Sequence, residues 1–419
     1  MFIPYENIGN FLFKIFKNNK LKDYFYNKKI QQNINYVKKN KPLVIKKIQK
    51  KLKNNKKINI VFYVYDKTKW KCQSLYDVFL KDERFNPLIL VTKTAAKNFD
   101  NPSYQTIEEV VNTYEFFKNK KLNVKYAYDI KKEKFISFEK FKPDIIFYQH
   151  PWYIETSQGP TRCSKFALSA YIPYYFPIET LEMDYYLRFY KYINYYFVFD
   201  KQTKEKYAKN MENNGENLFV SGYPLFDNFK SNSNENEYII YAPHWSVNGI
   251  GLGYSTFDWS GKYILEYAKK SNQKWIFKPH PLLFKALIDN KIMTKKEVKE
   301  YYEAWDEIGI RYESGDYLEL FNKSKMMITD CGSFLGEYFA TKKPLIHLIS
   351  ENSKMKNSNN PILKTYFSIY NLEELEKHLQ ILPENDILSG ARQKLYNEMN
   401  FDANAAENIL NIILKDIQI

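Results

Sequence analysis

The sequence predicts an α/β protein of two Rossmann-like domains that face a common cleft, preceded by a basic amphipathic N-terminal segment. Three observations carry this reading. Short apolar runs suited to parallel strands recur between residues 58 and 348; stretches with helical spacing lie between them; and SNSNENE at 231–237, polar and aperiodic, divides the series in two. The expected divisions are a segment 1–56, an N-terminal domain 57–230 and a C-terminal domain 238–419 that includes the terminal helices.

The first series opens with the apolar run 58–64, followed by a helical stretch at 74–80, a strand at 87–91, a helix at 107–118 and a strand at 144–148 that runs into Gln149-His150-Pro151. Strands at 195–199 and 218–220 complete it. The second series places strands at 238–242, 275–277, 310–312, 326–328 and 345–348, and a helix from Asp402 with apolar residues at Ala406, Ile409, Ile413 and Ile417.

A chain of 419 residues is long enough for two cores. Its three cysteines, Cys72, Cys163 and Cys331, show no CxxC spacing and cannot all pair, which fits a reducing, cytoplasmic compartment. No run of about 18 uncharged apolar residues suits a membrane span, and no signal-peptide pattern opens the chain. The formal charge of +15 is concentrated: residues 1–57 hold sixteen lysines against Glu6 and Asp23. Ile8, Phe11, Leu12, Ile15 and Phe16 share one helical face opposite Asn7, Asn10, Lys14 and Lys17, and Ile45, Ile48 and Leu52 repeat the pattern. Such a segment suits an anionic membrane surface; a helix packed on the body with a solvated basic face is the alternative. No nucleic-acid motif accompanies the charge, so nucleic acid is not an expected partner.

The chemistry is expected at strand ends. His150 in YQHPW, His244 in YAPHWS and His280 in FKPHPLL each follow an apolar run and neighbour a proline that fixes the turn. His347 reads as a core residue and His378 as an exposed helix position. The histidine spacing gives no zinc signature, no GxSxG elbow exists, and GIGLG at 249–253 lacks dinucleotide spacing. No metal and no cofactor are expected. The anion site is expected in TDCGSFLGEY at 329–338, where Asp330 ends a strand, Gly332 allows a sharp turn, Ser333 caps a helix whose amides point at the ligand, and Glu337 reaches sugar hydroxyls.

These motifs, with Gly222-Tyr223-Pro224-Leu225-Phe226-Asp227 and TDCGSFLGEYFATKKPLIHL at 329–348, resemble in order and spacing the CDP-glycerol glycerophosphotransferases of teichoic-acid and capsule synthesis. The resemblance implies the type B glycosyltransferase fold, a peripheral protein on the inner face of the cell membrane, a CDP-linked donor and a glycan or lipid-linked acceptor. It makes His150 the acceptor-side base and His280 a donor-pyrophosphate contact. Lys278 supplies positive charge, and His244, Asp330, Gly332, Ser333 and Glu337 join it around the donor. The chain departs from the family pattern at Cys331-Gly332, at Glu337 in place of Asp, and at His244 in place of Thr. A nucleotide-sugar glycosyltransferase of the same fold and a non-catalytic membrane-surface subunit of a polysaccharide assembly complex are the other readings.

Overall fold

The computed structural model describes residues 19–97, 104–178, 183–229, 236–312, 317–353, 355–399 and 404–417. They form two compact units. The first comprises the described residues through Tyr174, those from 183 to Pro224, and those from Asn404; the second comprises residues 175–178 and the described residues from Leu225 to 399.

The first unit is built on a seven-stranded sheet of order β3-β2-β1-β6-β7-β8-β9. Its strands are β1 (Ile58–Val64), β2 (Phe85–Val91), β3 (Val124–Tyr126), β6 (Ile145–Tyr148), β7 (Leu168–Tyr171), β8 (Tyr195–Val198) and β9 (Leu218–Val220), with a small antiparallel pair, β4 (Tyr128–Asp129) and β5 (Lys134–Phe135), beside it. All pairings in the large sheet are parallel. Every residue of β1 except Asn59 is buried, which is why the run reads as continuously apolar. The chain order reverses between β1 and β6, so β2 lies to one side of β1 and the later strands to the other.

The second unit repeats the plan with six strands in the order β12-β11-β10-β13-β14-β15. They are β10 (Tyr238–Ala242), β11 (Lys274–Phe277), β12 (Gly309–Arg311), β13 (Ser324–Thr329), β14 (Leu345–Leu348) and β15 (Phe367–Ile369), again all parallel. Its switch point lies between β10 and β13. Phe277 stacks on Trp305 with centroids 4.9 Å apart, and Trp275, Tyr241 and Tyr301 extend that core.

The structure revises the domain bounds and shows how the described part of the basic segment packs. The helix Ala405–Asp416 belongs to the first unit, not the C-terminal domain: it packs on the helix Gln73–Lys81, Asp416 accepts the hydroxyl of Tyr195 at 2.5 Å, and Asn408 donates to the Ser221 carbonyl at 3.2 Å. The division also falls after Pro224 rather than in 231–237. The described helix Asn19–Lys53 turns its apolar stripe inward. Ile30, Ile34, Val37, Val44 and Ile48 are buried in a near-heptad rhythm against β1, β7 and the short helix Pro160–Cys163. The apolar arc at 8–16 lies outside the described residues.

The turn after the helix Gly332–Phe339 is held by a buried charge. Arg392 donates to the carbonyls of Lys342 at 3.0 Å and Thr365 at 2.8 Å and pairs with Asp386, and its side chain is wholly buried. Removing one partner of such an arrangement leaves buried polar groups uncompensated. Arg392→Met is therefore expected to lower stability by about 3–5 kcal/mol in denaturant titration of the full chain.

Candidate active site

In an open parallel sheet the crevice outside the carboxyl ends of the strands, at the switch point, is the natural ligand site. The second unit brings most of the expected residues to that place. His244 follows β10, Lys278 and His280 follow β11, and Asp330 follows β13. The His244 and His280 rings lie 5.1 Å apart, edge to face.

Hydrogen bonds fix how the two rings present themselves. The Ser246 amide donates to His244 Nδ1 at 3.2 Å, so that nitrogen is an acceptor, and the Ser246 hydroxyl sits 2.7 Å from it. Ser246 Oγ itself accepts the Tyr254 amide at 2.9 Å, which turns its proton toward the ring. His244 is therefore the Nε2–H tautomer, and burial holds it neutral by lowering its pKa to about 3. His280 Nδ1 likewise accepts the Leu282 amide at 3.1 Å, which makes Nε2 its donor atom. Two imidazole N–H donors thus stand at adjacent strand ends.

Asp330 is buried beneath them and holds the frame. Its Oδ1 accepts the His244 amide at 2.6 Å; its Oδ2 accepts the Thr256 amide at 2.7 Å and hydroxyl at 3.0 Å. Burial pushes its pKa up to about 7 against those three bonds. The carboxylate positions two loops.

Lys278 is nearly buried among aromatic rings, its ammonium 5.2 Å from the Phe334 centroid, 5.4 Å from Tyr317 and 5.6 Å from Tyr312. Tyr317 in turn donates its hydroxyl to Glu337, whose side chain is buried. Tyr317 was not singled out from sequence, because nothing local marks a tyrosine 20 residues before its carboxylate as its partner. Ser246, two residues after His244, carries a readable signal as a side chain able to orient the ring.

The helix Gly332–Phe339 begins as expected after β13, with two corrections. The N-cap is Cys331, not Ser333, and it makes no side-chain cap bond; Ser333 is the second helical residue, with Oγ 3.4 Å from Cys331 Sγ. Gly332 is required for space rather than for a turn, since a Cβ there would stand 2.6 Å from Met355 and 2.8 Å from Tyr254.

In the first unit His150 lies at the other switch point, after β6 and next to β1. It is fully buried, its ring 5.0 Å from Tyr63 and 4.1 Å from Tyr65, and neither ring nitrogen has a hydrogen-bond partner. The neighbouring Gln149 amide and Tyr63 hydroxyl are also buried without partners. Burial, with Lys69 adding to it, lowers the His150 pKa from the ordinary 6.5 to about 3. His347 is a core residue of β14, as expected, and His378 is half-buried with Nδ1 2.7 Å from the Glu374 carbonyl. No cluster of His, Cys, Asp or Glu suited to a metal occurs among the described residues.

Residues 44–415 match the family described as CDP-glycerol:poly(glycerophosphate) glycerophosphotransferase. The chain belongs to that family. It is 27% identical over 158 residues to the minor teichoic acid biosynthesis protein GgaB of Bacillus subtilis (strain 168), a match covering 33% of this chain and 16% of that protein. The chain therefore matches only a small part of the length of this curated relative. Among solved structures, a variant of the wall teichoic acid polymerase TagF aligns with TM-score 0.54 and 14% identity, over 86% of this chain and 89% of that one. The UDP-GlcNAc 2-epimerase of Methanocaldococcus jannaschii aligns with TM-score 0.51 and 16% identity, over 86% and 99%. These likenesses show the fold, two Rossmann-like domains with parallel sheets.

The buried imidazoles make stability depend on pH. His150, His244 and His347 have folded pKa values of about 3, 3 and 4 against an ordinary 6.5. Between those values the unfolded chain binds protons that the folded chain does not, so stability is full above pH 6.5 and is lost as pH falls through the window. Asp330 works in the opposite sense, since its folded carboxyl keeps a proton between 3.8 and about 7 that the unfolded chain releases. It offsets one of the three. His347→Leu is expected to flatten the rise of unfolding free energy between pH 4 and 6.5 by close to one proton, about 1.4 kcal/mol per pH unit, in denaturant titrations across that range.

Proposed function

We propose that this protein transfers glycerol phosphate, or a related alditol phosphate, from a CDP-linked donor to a hydroxyl of a cell-surface glycan or lipid-linked acceptor. The family membership supports this class of chemistry, and GgaB and TagF are both named for teichoic acid. The observation that carries the reading is the pair of imidazole N–H donors, His244 and His280, at adjacent strand ends beside the switch point of the second unit. In the reaction the acceptor oxygen attacks the phosphorus next to the alditol, the bond to the CMP oxygen breaks, and the acceptor proton passes to a base. Alignment and stabilisation of phosphate charge are what such a displacement requires. His280, His244 and Lys278 face the pyrophosphate in this reading, with the first amides of the helix Gly332–Phe339 and Ser333 beside them. Glu337 serves the ribose, held by Tyr317.

His150 is the proposed base. Both ring nitrogens are buried without a hydrogen-bond partner, and an entering hydroxyl supplies one; burial makes the free ring a weak base, so in this reading the arriving acceptor has to raise its pKa. Residues 1–56 are proposed to hold the protein at an anionic membrane surface through their lysines, on the inner face of the cell membrane. Among the described residues no helix is long and apolar enough to cross a membrane.

The test is a panel of CDP-alditols and UDP-sugars with an acceptor glycan, reading nucleotide release and the linkage formed. CMP release and a phosphodiester product are expected; UDP release with a glycosidic product would replace this reading with a glycosyltransferase. In the same assay His150→Ala is expected to lower turnover by about two to four powers of ten with CDP affinity unchanged.

The donor assignments are separable by calorimetry. Glu337→Ala is expected to weaken CDP binding while leaving pyrophosphate binding intact, because loss of a sugar-hydroxyl acceptor costs about 1–3 kcal/mol and a carboxylate offers phosphate no attraction. His280→Ala is expected to weaken both. Equal CDP affinity in Glu337→Ala and wild type would remove Glu337 from the ribose.

A further inference from the structure

The first unit carries a groove of about 470 Å³ that the transfer chemistry leaves unused. One wall is the helix Asn19–Lys53; the other is formed by residues 156–165, six residues and more beyond His150, and by the region around the helix Arg188–Lys191. Four lining side chains are cationic, Lys29, Arg162, Lys165 and Arg188, and none of the described lining residues is acidic.

The walls are held independently of any ligand. Gln158 is wholly buried and ties the 156–165 segment to the Thr92 hydroxyl at 3.0 Å and the carbonyls of Ala127 and Ile136 at 2.8 and 2.9 Å. Tyr148 donates to its carbonyl at 2.6 Å. On the opposite wall the helix is clamped by Lys51 to buried Asp144 at 2.5 Å and by Lys41 to Asp416 at 2.8 Å. The Arg188 guanidinium sits 4.8 Å over the Tyr26 ring. Arg162 also approaches Glu139 at 3.8 Å, and with four cations in the lining and that one carboxylate beside it the groove stays net positive and attracts an anion.

The chemistry of the lining chooses the anion. Tyrosine rings and threonine hydroxyls alternate with the cations, and Ile30 is buried against the body. Insertion of this groove into a lipid surface would call for an outward apolar face, and the stripe of this helix is turned inward. A polyol chain linked by phosphodiesters carries one negative charge per repeat with hydroxyls between. We propose that this groove binds the phosphodiester backbone of the acceptor chain. The identity of that acceptor rests on the transfer reaction proposed above; the binding itself needs no donor.

The experiment titrates the full chain, without donor, with soluble poly(glycerol phosphate) oligomers by calorimetry. The variant K29Q/R162Q/R188Q is expected to bind about ten- to a hundredfold more weakly at low salt. The slope of log affinity against log salt should shrink by about two, taking roughly 0.7 per lost charge as for single-stranded nucleic acid. R162K/R188K, which keeps the charge, should retain most of the affinity, and Lys296→Gln on the second unit should change nothing. Oligomer binding by the triple variant equal to wild type overturns the proposal. So does loss of binding to anionic phospholipid vesicles with oligomer binding intact, which would assign the groove to a membrane headgroup. If the wild-type chain releases no CMP from any CDP-linked donor while the triple variant still loses the oligomers, the groove stands and the transfer reaction falls.

Discussion

The carboxylate of Asp330 is the constraint on which the strand-end crevice of the second unit depends. It accepts one amide from the loop after β10 and an amide and a hydroxyl from Thr256, where the helix Phe257–Lys270 begins. Between these two points the chain runs through Asn248, Gly249, Gly251 and Gly253, all at positive φ. A loop of that composition has little conformational preference of its own. Closing it across one buried carboxylate sets where His244 and Ser246 lie, at the cost of desolvation that pushes the Asp330 pKa to about 7. Without the carboxylate two amide donors would be left in the interior, each about 1–3 kcal/mol unfavourable.

The consequence is a strand-end crevice lined mainly by oriented dipoles. Ser246 and the Leu282 amide lock both imidazoles with Nε2 as donor, so the rings need not turn when a ligand arrives. Preorganised donors of this kind act without reorganisation at the moment of reaction. The full positive charge comes from Lys278, whose stem and ammonium are packed among Tyr312, Tyr317 and Phe334. The ring of Phe334 belongs to the helix Gly332–Phe339, so the lysine and the helix start are placed by one contact.

Much of this was legible in the sequence wherever a strand is long and apolar. The runs 58–64, 238–242 and 326–328 announce β1, β10 and β13, and with them the strand-end positions of His244, His280 and Asp330. Strand β7, Leu168–Tyr171, was missed: Leu-Ser-Ala-Tyr has no strong strand signal, and its place depends on Asn194, whose side chain accepts from the Ser169 amide at 2.9 Å. Edge strands β3 and β15, three residues each, were missed for the same reason. Ser333 looked like a cap because Ser is the favoured residue type, yet the backbone enters the helix two residues earlier. The depressed His150 pKa was invisible because the aromatic cover comes from Tyr63 and Tyr65, more than 80 positions away.

The lysine-rich N-terminal region shows most clearly why composition underdetermines role. Its net charge reads as one property, but the structure divides it. Lys47 and Lys51 serve buried Asp144, Lys41 serves Asp416, Lys38 serves exposed Glu216, and Lys29 lines the groove. Asp144 also accepts the Asn59 amide at 2.9 Å, so the helix is wired to the start of β1. The opposite end of the chain is wired to the same helix, since Gln49 donates to the Ile417 carbonyl at 3.1 Å. Removing residues 19–53 would bare the surface under Val44 and Ile48 and strand a wholly buried carboxylate without its ammonium partners. The described part of the basic region is thus a structural member of the first unit, tied to β1 and β6 through Lys47, Lys51 and Asp144.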